Sequence, residues 1–163
     1  MLNIGLLGCG RIGQVHGATL AGMSSARAAA VSDFLPDAAN ALANQLGADV
    51  MSSDEMLENP SIDAVVIGTP TTTHYDLIHK AAAHGKAIFC EKPVDMSAER
   101  IRDCIKVVAE NNVPFLTALN RRFDPNFAHL QARLAAGDIG ATEIITIQSR
   151  DPSPPPISYI TSS

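Results

Sequence analysis

Short apolar runs recur along the chain at Ile4–Leu7, Ala28–Val31, Ala64–Ile67, Ala87–Cys90 and Phe115–Leu119, separated by stretches with helical spacing. The runs are continuous rather than alternating, the pattern of strands covered by helices on both faces of a parallel sheet. Ile101, Cys104, Ile105 and Val108 follow i, i+3, i+4, i+7, with Ser97 at the N-cap position and Glu99 in the first turn. Ala38, Ala41, Leu42 and Gln45 form a second stripe between Pro36 and Gly47; Ile78, Ala81 and Ala82 form a third, ended by Gly85. Phe127, Leu130 and Leu134 form another between Pro125 and Gly137. Strand and helix therefore alternate to about residue 136. This predicts right-handed β-α-β crossovers and an α/β fold, a doubly wound parallel sheet of Rossmann type. Thr142–Ser149 is β-rich but no helix follows it. Four prolines within residues 152–156 impose extended, polyproline-like backbone there. The expected division is a domain over 1–120, followed over 121–163 by a connecting helix, a first strand and a proline-rich segment of a second α+β domain.

Residues 4–13 read as a strand entering G-x-G-x-x-G at Gly8, Gly10 and Gly13, with a helix after it. Gly8 permits the tight turn, Gly10 lets a pyrophosphate approach the backbone, and Gly13 lets the helix pack on its strand. Amides at that helix N-terminus, around Arg11 and Ile12, face the anion. Asp33 ends the next strand twenty residues beyond Gly13. A carboxylate there accepts from adenosine ribose hydroxyls and repels a 2′-phosphate, which favours NAD over NADP. Phe34 either lies against the adenine or fills the loop, and Arg11 either pairs with pyrophosphate or points to solvent. His16, one turn into the helix, reads as a packed or capping residue. Three further clusters follow strand ends, where open α/β sheets place their ligands: Gly68–His74, Glu91-Lys92-Pro93 and Asn120–Pro125. All are expected at one crevice. Alternative roles exist for two of them: Thr71–Thr73 as helix caps, and Arg121 or Arg122 as ion-pair partners of Asp124.

Charge and composition narrow the partners. Twelve Lys and Arg against seventeen Asp and Glu, net charge −5, offer no basic face for nucleic acid. No apolar run approaches the roughly 20 residues that cross a bilayer, and no signal peptide is evident, so a cytoplasmic location is expected. Cys9, Cys90 and Cys104 are odd in number and lack C-x-x-C spacing, the pattern of buried reduced thiols. His74, His79 and His84 turn about 140° from one to the next on a helix, so they share no face and are not spaced as metal ligands.

G-C-G-R-I-G at 8–13, T-P at 69–70, His74 and E-K-P at 91–93 resemble the landmarks of the glucose-fructose oxidoreductase and inositol dehydrogenase superfamily. N-R-R-F-D-P at 120–125 and S-R-D-P-S-P-P-P at 149–156 resemble its myo-inositol 2-dehydrogenase branch. The resemblance implies hydride transfer from a polyol or sugar hydroxyl to NAD. By the same resemblance, Lys92 is expected to reach the nicotinamide ribose and the substrate hydroxyl, Glu91 to contact or orient nearby groups, and Pro93 to follow a cis bond. The resemblance further implies that Thr69, Pro70 and His74 line the nicotinamide side and that Asn120 and Arg122 lie between cofactor and substrate. It also implies a downstream Asp and His that complete proton transfer, a homo-oligomeric full-length form, and weak or no turnover by this chain as a truncated half. The alternative is a stand-alone, non-catalytic NAD-binding regulatory module. A P-x-x-P ligand at Pro152–Pro155 is a weaker idea than an interdomain linker.

Overall fold

A computed structural model describes residues 1–150, 153, 154 and 157. The chain divides into two compact units, Met1–Leu119 and Asn120–Ser163.

In the first unit, parallel strands β1 (Leu2–Leu7), β2 (Ala26–Ser32), β3 (Asp49–Val50), β4 (Ala64–Ile67), β5 (Ala87–Cys90) and β6 (Phe115–Thr117) form one sheet in the order β3-β2-β1-β4-β5-β6. The order reverses between β1 and β4, so a crevice opens at their C-terminal ends. Helices α1 (Arg11–Ala21) and α2 (Pro36–Leu46) contribute Leu20, Ala39, Leu42 and Ala43 to a core on one face, with Ile4, Leu6 and Val31. Helices α3 (Ser53–Glu58), α4 (His74–Ala83) and α5 (Ala98–Glu110) cover the other face, with Met56, Ile78 and Cys104 against Val65, Ile67 and Ile88. Gly5 makes room for this second layer: a Cβ there would stand 2.3 Å from Met56 Sδ.

The helix signals place their elements well. Ser97 accepts the Arg100 N–H, Pro36 opens α2, and Gly47 and Gly85 adopt left-handed φ of 64° and 69°. Two apolar stripes, however, are turned from their expected setting. In α5, Ile105 is 56% exposed while Val107 packs against the core beside Ile101, Cys104 and Val108. In α2 the buried set is Ala39, Leu42 and Ala43 rather than Ala41 and Gln45. A helix so rich in alanine has no steep hydrophobic gradient of its own, and the sheet chooses the face.

β3 and α3 have no counterpart among the expected elements. A two-residue strand carries no periodicity, but α3 begins with a legible capping box. Ser52 Oγ accepts the Glu55 N–H at 3.2 Å and Glu55 Oε2 accepts the Ser52 N–H at 2.9 Å. Lys86, only 6% exposed, donates to the carbonyls of Asn59 (2.6 Å) and Ile62 (2.8 Å), and burial holds its amine below the ordinary lysine range. It clasps the loop between α3 and β4.

The three cysteines are free and buried; burial pushes the Cys9 and Cys104 thiols up to about 11 and the Cys90 thiol to about 12. Such thiols stay protonated at neutral pH and are poor nucleophiles. No helix among the described residues is long and apolar enough to cross a membrane.

In the second unit, a 3-10 turn at Asn120–Phe123 leads to α6 (Pro125–Ala135). Asp124 caps α6 by accepting the N–H groups of Asn126 and Phe127, and Arg121 lies 5.2 Å from the Phe127 ring centroid. The α6 stripe is not buried: Phe127 is 40% and Leu130 55% exposed. Thr142–Ser149 forms no strand, contrary to its β-rich composition, and Ile144, Ile145 and Ile147 are 70% or more exposed. A strand is made by its ladder, and none of these residues has one. Pro152, Pro155 and Pro156 lie outside the described residues.

Candidate functional site

The glycine turn joins β1 to α1, and each glycine is there for a different steric reason. Gly8 takes φ 99°, and a Cβ on it would stand 2.6 Å from the Gly68 carbonyl oxygen. A Cβ on Gly13 would stand 1.9 Å from the Gly8 carbonyl oxygen, so α1 meets its own turn here with no space for a methyl group. Around Gly10 there is no protein atom within 4 Å of such a Cβ. The first two glycine roles are internal packing; the third leaves open space at the N-terminus of α1. That helix carries no side-chain cap and no acidic residue in its first turn. Its leading N–H groups are therefore available to an anion.

The open space belongs to a groove of about 1070 Å³ at the C-terminal ends of β1, β2 and β4. Gly8, Gly10, Arg11 and Ile12 form one side, Asp33, Phe34 and Leu35 another, and Gly68, Thr69 and Pro70 a third. The glycine turn, Asp33 with Phe34, and the Gly68–Pro70 segment, each singled out in the sequence, thus meet at one cavity. Its size slightly exceeds the usual range of about 300–1,000 Å³ for small-ligand sites and suits an elongated ligand. Asp33 is fixed from both oxygens: Oδ2 accepts the Cys9 N–H at 2.6 Å and Oδ1 the Leu35 N–H at 2.8 Å. The carboxylate is held rigidly beside the glycine turn, with lone pairs left for hydroxyl donors. Phe34 is 96% exposed on the rim.

The groove extends beyond the expected residues to Ser52, Ser53, Asp76 and Lys80. Lys80 Nζ bonds Asp54 Oδ1 at 2.6 Å and so links α4 to α3. The Ser52 capping box was the one local signal able to place α3 here.

The threonines before α4 do not cap it. Thr71–Thr73 form a 3-10 turn, and Thr73 Oγ1 lies 2.7 Å from Thr69 Oγ1 and 2.8 Å from the Pro70 carbonyl oxygen. His74 is placed otherwise than expected. It is 1% exposed and lies beneath the groove, with Nδ1 2.9 Å from the Pro93 carbonyl oxygen and Nε2 2.9 Å from the Thr69 carbonyl oxygen. Both ring nitrogens face backbone carbonyls, and the one that carries the proton donates, so the buried ring packs between the Thr69-Pro70 loop and the E-K-P turn. Replacing it with alanine removes that donor and opens a cavity. His74→Ala is expected to cost about 2–4 kcal/mol, visible as a fall of roughly 10 °C in thermal melting.

The E-K-P turn follows β5, the neighbour of β4. The Lys92-Pro93 peptide bond is cis. Lys92 is exposed; Glu91 is largely buried and bonds His16 Nε2 through Oε1 at 2.8 Å, while its Oε2 accepts the Lys92 N–H at 3.2 Å. Neither side chain lines the groove itself. Asn120 and Arg122 lie in the second unit, on the exposed turn before α6.

Residues 2–119 match the family described as "Oxidoreductase family, NAD-binding Rossmann fold". Inositol 2-dehydrogenase of Rhizobium meliloti is 50% identical over 159 residues, 98% of this chain and 48% of that protein. A crystal structure of a myo-inositol dehydrogenase from Corynebacterium glutamicum superposes with a TM-score of 0.91 at 40% identity, covering all of this chain and 49% of that one. A structure of scyllo-inositol dehydrogenase from Lactobacillus casei, with bound NAD(H) and scyllo-inositol, gives a TM-score of 0.82 at 30% identity over 86% of this chain and 42% of that one. The chain spans about half the length of the relatives it matches. With a glycine cradle, an open helix N-terminus and a fixed carboxylate at the switch point of its sheet, the chain belongs to this oxidoreductase family and carries its NAD-binding Rossmann domain.

Proposed function

We propose that Gly8–Gly13 hold the NAD pyrophosphate at the N-terminus of α1, that Asp33 accepts the adenosine ribose hydroxyls, and that Lys92 serves the hydride-transfer end in oxidation of a polyol or sugar hydroxyl. The observation that carries the reading is the open space at Gly10 and the uncapped α1, beside a carboxylate fixed by two backbone amides. These residues fit a dinucleotide: donors for its phosphates, an acceptor for its ribose, and an apolar rim at Phe34 and Leu35 for its base. Arg11 on the groove wall adds positive charge near the phosphates. Thr69 and Pro70 flank the nicotinamide half.

Bound NAD supplies the hydride acceptor. The protein's own part is proton handling: a carbinol carbon gives up hydride more readily as its hydroxyl proton is drawn away, and Lys92 Nζ is the group that polarises that O–H. The relatives' names support an inositol or similar polyol as substrate. They are about twice as long, and the full set of proton-transfer groups is assigned to the longer form, in a cytoplasmic homo-oligomer. The 163-residue chain is expected to bind NADH, seen as quenched or enhanced nicotinamide fluorescence, with NADPH weaker by at least about tenfold, a difference of about 1.4 kcal/mol. Mixed with NAD and myo-inositol, it should form NADH no faster than its Lys92→Ala variant. Rapid inositol-dependent NADH formation would contradict the division of labour, and absence of NADH binding would contradict the site.

A further inference from the structure

We propose that His16 is a positioning residue for Lys92, coupling the cofactor-binding helix to the lysine turn through Glu91. The inference rests on the reading of Lys92 given above. Alternation along β5 sends Phe89 and Glu91 to the same face, the one that α1 covers. His16, five residues after the first residue of α1, meets both: its ring stands edge-on to Phe89 at 5.3 Å between centroids and 74°, and Nε2 lies 2.8 Å from Glu91 Oε1. An ionised carboxylate only accepts, so Nε2 is the donor and carries the proton. The other carboxylate oxygen accepts the Lys92 N–H at 3.2 Å. Glu91 is therefore a bridge with one oxygen on α1 and one on the lysine's own backbone, and it is largely shielded from water, with 13% side-chain exposure. His74 holds Pro93 on the other side of Lys92. The lysine is exposed and long, and these two imidazoles remove the backbone freedom at its root. Because α1 also begins at the anion site, this helix joins Gly10 to His16, and Glu91 carries the link on to Lys92.

The test uses the 163-residue chain. His16→Phe keeps the ring against Phe89 but deletes the donor; His16→Gln restores an N–H near the position of Nε2. In His16→Phe the Lys92 amide should exchange with solvent at least about tenfold faster by NMR, since its acceptor is no longer held. NADH affinity should fall to that of Lys92→Ala, while affinity for ADP-ribose, which lacks the nicotinamide, stays within about twofold. His16→Gln should recover both, and His16→Phe should add nothing in a Lys92→Ala background. His16→Leu, which also lacks the donor, reports through the same amide if the phenylalanine variant does not fold. An unchanged Lys92 amide in His16→Phe, or in His16→Leu where that variant has to stand in, overturns the proposal, as does a His16→Gln variant no better than His16→Phe. Should Lys92→Ala bind NADH as tightly as the parent, the lysine's role is lost, and the amide measurement still decides whether His16 positions it.

Discussion

Gly13→Ala should destabilise the chain strongly, whereas Gly10→Ala, three residues away in the same motif, should leave stability intact and weaken NAD binding. The two glycines look equivalent as letters, but their surroundings are opposite. A methyl carbon at Gly13 would stand 1.9 Å from the Gly8 carbonyl oxygen, a backbone atom that moves only if the turn or α1 moves. Since α1 packs Leu20 into the core and Gly17 against Leu46, displacing it disturbs a whole face of the sheet. Overpacking of this kind costs about 3 kcal/mol or more, equivalent to a melting temperature lower by roughly 10 °C. At Gly10 the backbone has φ −68° and ψ −165°, open to alanine, and no protein atom lies within 4 Å. The methyl group would instead intrude on the space proposed for the pyrophosphate. The expected result is an unchanged melting curve with NADH affinity reduced at least about tenfold. If Gly10→Ala binds NADH normally, the phosphates do not sit at this turn.

Asp33→Ala should both loosen the turn and erase the preference for NAD over NADP. The carboxylate does two jobs in the structure. It accepts the Cys9 and Leu35 amides, and the first of these belongs to a residue only 1% exposed. Leaving a buried donor unpaired costs about 1–3 kcal/mol, so melting should shift by several degrees. Its second, proposed job is recognition. Removing an acceptor for the ribose hydroxyls is expected to weaken NADH by about 10- to 100-fold, while NADPH, freed from charge repulsion, is weakened less. The NADH-to-NADPH affinity ratio, measured by fluorescence titration on the two proteins, should therefore fall towards unity. A variant that melts lower but keeps the parent's ratio would show that Asp33 is only a brace for the turn.

Much of the fold was legible because its signals are local. Continuous aliphatic runs, Pro36 and Pro125 at helix starts, and Gly47, Gly85 and Gly137 at helix ends depend on backbone preferences that act within a few residues. The G-x-G-x-x-G turn with Asp33 behaved likewise, since strand-turn-helix geometry carries the later carboxylate back to the Cys9 amide. Where local preference was nearly flat, the reading slipped: α2 is rich in alanine, and α5 offers both Ile105 and Val107 to the sheet. Composition alone also overstated Thr142–Ser149, because β-propensity does not supply a partner strand.

The sequence by itself determined the alternation of the main strands and helices, the parallel sheet, and the cofactor class, since each follows from residue types at fixed short spacings, but it did not show β3 or α3. Only the tertiary structure decided what His16, His74 and Lys86 do. Their partners are Glu91, 75 residues away, Thr69 and Pro93, 5 and 19 away, and Asn59 and Ile62, 27 and 24 away. A histidine that lines a groove and one that ties two loops together beneath it read the same in one dimension. Packing separates them, by settling whether a ring nitrogen meets a ligand, a carboxylate or a backbone carbonyl.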